Sequence, residues 1–84
     1  MNSVSRYVNK QKQELLRLRR AKVELENQKK SIEIFIDHPY YKQFPGIVDL
    51  IKEATDLLEI IVRRLQEVKK ETQKYRDNIT KVCL

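Results

Sequence analysis

The residues that interrupt helices are confined to one short stretch of this chain. Pro39, Pro45 and Gly46 are the two prolines and the single glycine among 84 residues. On either side runs a long segment rich in Leu, Arg, Lys, Glu and Gln, side chains that lose little rotamer freedom in a helix. The residue before a proline is pushed out of the α region. Asp37-His38-Pro39 therefore stops a first helix, and Pro45-Gly46 resets the chain for a second. The pattern predicts helices over about 3–37 and 46–82, joined by a turn over 38–45. Ile32-Glu33-Ile34-Phe35-Ile36 alternates as a strand does, but a lone strand has no partner, so it is assigned to the first helix.

Both segments carry an apolar seam in alternating steps of four and three. In the second it runs Ile47, Ile51, Ala54, Leu58, Ile61, Leu65, Val68, Thr72, Tyr75, Ile79, Val82. The first offers Val4, Val8, Gln11, Leu15, Leu18, Lys22, Leu25, Lys29, Ile32, Ile36, with three polar intrusions. This is the stripe of a coiled coil. Folding one segment back on the other about a nearly symmetric turn sets Gln11 opposite Thr72, Lys22 opposite Ile61, Leu25 opposite Leu58 and Lys29 opposite Ala54. Lys29 then has a small neighbour past which its stem can snorkel. The predicted fold is all-α, one domain, an antiparallel two-helix coiled-coil hairpin.

Apolar residues beyond the seam ask for further cover. Leu50, Leu57 and Ile60 lie beside or round from it on the second helix, and Leu16, Val23 and Ile34 lie off it on the first. Each gains about 1.5–3 kcal/mol when fully buried, which favours dimerisation into a four-helix bundle. Phe35, Tyr40, Tyr41 and Phe44 gather near the turn, as a cap on the bundle end or as anchors for a partner. These ten residues form the candidate oligomer or partner interface.

Charge is distributed unevenly. Residues 1–22 and 65–84 hold twelve basic against four acidic side chains, while 23–64 hold six against eight. Arg6, Lys10, Gln13, Arg17 and Arg20 repeat in steps of four and three, flanked by Lys12 and Arg19. Arg6, Lys10, Arg17, Arg19 and Arg20 are the candidate anion or nucleic-acid stripe, since such a row tracks phosphates and releases counterions. Aromatic platforms for bases are sparse at that end, with only Tyr7 and Tyr75. A basic helix also suits an anionic membrane surface, although here its apolar side is claimed by the other helix.

Other classes lack their residues. There is no glycine-rich phosphate loop, no His/Cys/Asp cluster at ligand spacing and no nucleophile with a base, so neither an enzyme nor a cofactor is expected. His38 stands alone beside proline, and Cys83, the single cysteine, permits no intrachain disulfide. The first residues have no apolar core of signal-peptide length, and Leu57-Leu58-Glu59-Ile60-Ile61-Val62 is too short to span a bilayer. A cytoplasmic or intracellular location follows as the expectation.

Phe44-Pro45-Gly46 resembles the aromatic-x-Gly turn of the small helical hairpins exported by type VII secretion, which also dimerise. The resemblance covers three residues. Phe stands in place of the usual Trp, and YRDNITKVCL lacks that family's Tyr-x-x-x-Asp signal. It implies an exported hairpin partner. The expected role from the residues themselves is a non-enzymatic interaction module, an adaptor, regulator or inhibitor. A basic nucleic-acid-binding regulator is the alternative.

Overall fold

A computed structural model describes residues 3–38 and 43–83, which form two helices, α1 (Ser3–Asp37) and α2 (Ile47–Cys83). They lie antiparallel, since Gln11 near the start of α1 meets Asn78 near the end of α2. The chain is an all-α helical hairpin. α1 stops where the proline rule places its end, and the His38 amide donates to the Phe35 carbonyl at 3.4 Å. At the other side of the turn the Ile47 amide donates to the Phe44 carbonyl at 3.3 Å. Gly46 between them has φ +79°, a left-handed conformation that L side chains adopt at a cost of about 1–2 kcal/mol. Asp49 in the first turn of α2 and Lys81 in its last complement the helix dipole.

The seam of α2 is the face turned inward. Ile47, Ile61 and Leu65 are buried, and Ile51, Ala54, Leu58, Val68, Thr72, Tyr75 and Ile79 are half-buried. On α1 Gln11 and Leu18 are buried, with Val8, Leu15, Leu25, Lys29, Ile32 and Ile36 half-buried. Leu18, at 2 % exposure, is the most enclosed apolar side chain described. Lys22 departs from the sequence expectation. It is exposed, reaching Glu26 at 3.9 Å along its own helix, and half-buried Ala21 takes the inner place. A cation leaves the seam when a methyl group one position away can fill it, because desolvating an unpaired ammonium is costly.

The register also differs from the symmetric one. Gln11 meets Asn78 rather than Thr72. Leu25 and Gln28 share a cleft with Arg64 and Val68, and Arg17 feels Glu71 and Tyr75. The Gln11–Asn78 contact thus lies six residues along α2 from the symmetric pairing, about 9 Å at 1.5 Å per residue. Two seams with the same spacing fit equally well after a slip of one step, so apolar pattern alone does not choose between them. Polar groups do. The Thr72 hydroxyl donates to the Val68 carbonyl of its own helix at 2.7 Å and needs no partner across the seam. The Asn78 amide instead donates to the buried Gln11 side-chain carbonyl at 3.4 Å.

This register carries a testable consequence. In double-mutant cycles, Gln11→Ala and Asn78→Ala are expected to couple by about 0.5–1 kcal/mol in urea denaturation, the scale of one polar contact. Gln11→Ala and Thr72→Ala are expected to add. Coupling at the second pair and not the first would restore the symmetric register.

Candidate functional site

Two ridges of α2 flank its seam, and each repeats every seven residues. One ridge is Leu50, Leu57, Arg64, Glu71, Asn78. Its later members face α1, with Arg64 and Glu71 lining a cleft with Ala21, Glu24, Leu25 and Gln28, and Asn78 on Gln11. The other is Val48, Thr55, Val62, Lys69, Arg76. Arg76 lines a groove with Lys12, Leu15, Leu16, Arg19, Lys22 and Thr72. The hairpin therefore has two distinct long sides.

The candidate interface residues divide between these sides. Leu50 and Leu57 stand on the first ridge, about half exposed and about 10 Å apart along the helix, with exposed Ile60 next round. Half-buried Phe35 belongs to the same side, since it follows Ala21 and Gln28 at intervals of seven on α1. Leu16 lies on the opposite side in the groove with Arg76, and exposed Val23 follows it at seven. Ile34 is 58 % exposed and sits between half-buried Ile32 and Ile36, which turns it to the back of α1. Phe44 is exposed in the turn, whereas Tyr40 and Tyr41 lie outside the described residues. Exposed apolar side chains thus stand on both sides, with Val48, Val62, Leu16 and Val23 on one, while the bulkier ones near the loop end, Phe35, Leu50, Leu57 and Ile60, stand on the other.

The basic stripe is likewise spread over more than one face. Arg6, Lys10, Arg17, Arg19 and Arg20 are all exposed. Arg17 is held by Glu14, its Nε and Nη2 donating to one carboxylate oxygen at 2.9 and 2.8 Å. That hydrogen bond, with the Coulomb attraction of Glu14 second, raises the guanidinium pKa above its ordinary value. Arg17 and Arg20 border a shallow depression on α1 with Gln13, Leu16, Ala21 and Glu24. Arg19 turns the other way into the groove, where Lys12, Lys22 and Arg76 join it. Lys22 and Arg76 were not singled out from the stripe. The spacings Lys12–Arg19–Lys22, of seven and three, and Lys69–Arg76, of seven, are the signal that unites them.

Among the described residues no group of three or more His, Cys, Asp or Glu is placed to hold a metal ion, and no helix is long and apolar enough to cross a membrane. Compared with known proteins, the chain matches no family model, no curated protein and no solved structure.

Proposed function

We propose that this chain is a non-enzymatic interaction module whose first partner is a second copy of itself. The observation that carries the reading is exposed surface. The hairpin measures 65 × 15 × 14 Å and exposes 6990 Å², whereas a compact monomer of its mass exposes roughly 5,300 Å². The difference of roughly 1,700 Å² per chain is on the scale of an obligate dimer interface. Among the described residues, Leu18, Ile47, Ile61 and Leu65 are the buried apolar side chains, while twelve large ones stand exposed.

Charge selects the arrangement. Copies with both open ends pointing the same way would bring two strongly basic ends together. Antiparallel copies, related by a two-fold axis midway between Leu50 and Leu57, set Leu50 of each copy on Leu57 of the other with Phe35 and Ile60 around them, and send the basic ends apart. The result is a four-helix bundle, coiled-coil in character, over the loop halves, with basic arms projecting from it. An adaptor, regulator or inhibitor works from such a scaffold by presenting helix faces.

Self-association makes stability depend on mass action. The melting temperature followed by circular dichroism is expected to rise by several degrees between about 1 and 100 μM chain. A melting temperature constant over that range would oppose the reading.

A further inference from the structure

The groove on the side away from Leu50 and Leu57 has a composition that self-association does not use. Lys12, Arg19 and Lys22 of α1 and Arg76 of α2 line it over a floor that includes Leu15 and Thr72. Among the described residues no carboxylate lines it. Lys69, seven residues before Arg76 and exposed, extends the same ridge toward the middle of the hairpin. The acidic residues of the open half lie elsewhere: Glu14 on Arg17, Glu71 and Glu67 in the opposite cleft, and Asp77 accepting from Gln73 at 2.8 Å. Glu26, the partner of Lys22 at 3.9 Å, is the one acid that approaches, and both groups are about half exposed. A pair of that kind contributes little and gives way readily to a stronger anion.

We propose that this groove binds the sugar–phosphate backbone of duplex nucleic acid without reading its sequence. Cations from two helices converge on one channel, and a polyphosphate answers several of them at once by releasing its own counterions. Arg contributes bidentate geometry toward phosphate oxygens, and Lys a mobile point charge. Among the described residues no aromatic ring lines the groove, so unstacked bases find no platform from them, and backbone contact fixes position rather than sequence. Anionic membrane suits it less, because both helices turn their apolar seams toward each other and leave Leu16 as the apolar side chain at the groove rim. The groove and the Leu50–Leu57 ridge are on different sides, so a monomeric chain would leave this proposal standing.

The test uses the full chain and a fluorescent duplex of about 20 base pairs, followed by anisotropy across a potassium chloride series. With about four phosphates neutralised, affinity is expected to fall roughly a hundredfold between 50 and 200 mM salt, since the logarithmic slope is about −0.9 per phosphate. Lys12→Gln with Arg76→Gln is expected to flatten that slope by nearly 2 units. Lys10→Gln with Lys74→Gln removes the same charge away from the groove and is expected to change it far less. Lys12→Arg is expected to retain binding, and unchanged helicity by circular dichroism shows that each variant is folded. The proposal is overturned if both double variants lose binding equally. It is overturned too if the duplex does not bind at 50 mM salt, or if poly-glutamate or phosphatidylserine vesicles bind as well as the duplex.

Discussion

Leu50→Lys combined with Leu57→Lys is expected to halve the particle mass in solution. Both side chains are about half exposed on the isolated hairpin, so a lysine stem can lie along the covered half while its ammonium reaches water. In the proposed bundle each Leu50 faces Leu57 of the other copy across the two-fold axis, and four ammonium groups would be brought together out of water. Like charges so placed cost several kcal/mol in addition to the apolar burial lost. The double variant should therefore be monomeric at tens of micromolar, with a lower melting temperature that no longer depends on concentration. Leu16→Lys with Val23→Lys, on the other long side, should leave the mass unchanged. That contrast locates the interface, since a general loss of apolar surface would act equally at both pairs.

Leu18→Ala is expected to have the largest effect on the hairpin itself. Leu18 is 2 % exposed, and truncation of such a side chain costs about 2–5 kcal/mol through lost transfer energy and the cavity left behind. Small domains are stable by only about 5 kcal/mol or little more. The variant should lose most of its cooperative urea transition when compared with the parent at one fixed chain concentration. The neighbouring exposed positions Arg19 and Arg20 should tolerate alanine within about 0.5 kcal/mol. A loss below about 1 kcal/mol at Leu18 would mean that α2 does not cover this position.

The same contrast explains what was legible in the residues alone. Pro39, Pro45 and Gly46 marked the turn because proline and glycine act locally, and both helix boundaries of the connection fall within one residue of the expected place. The inward face of α2 was legible because its seam is apolar apart from Thr72 and Tyr75. Register was not, since a repeating seam fits after a slip, and the deciding groups behave differently from their polarity class. Thr72 satisfies itself on Val68, so its polarity carried no pairing information, while Asn78, just off the seam, held the partner for Gln11. Lys22 sat at a seam position by count, yet one residue of rotation put Ala21 there instead.

Surface groupings were legible only in part, because they depend on that register. Leu50, Leu57 and Ile60 belong together by spacing on a single helix. Leu16 and Val23 joined them on apolarity alone, and the hairpin sets these on the other side. Arg6, Lys10, Arg17 and Arg20 follow one face of α1, but a groove between helices draws from both. Lys12 and Arg19 meet Lys22 and Arg76 only once α2 has been set in place. The aromatic turn residues Tyr40 and Tyr41 fall outside the described residues, and the three residues Phe44-Pro45-Gly46 lead into α2, with Gly46 at φ +79°.

The most direct test is sedimentation equilibrium of the unmodified chain at about 10–100 μM in moderate salt. A single species of twice 10.1 kDa is expected, dissociating on dilution with retained two-fold stoichiometry. A fully helical particle that stays at 10.1 kDa throughout would contradict the unfinished-hairpin account, because its exposed Leu50, Leu57 and Ile60 would then need no second copy to cover them.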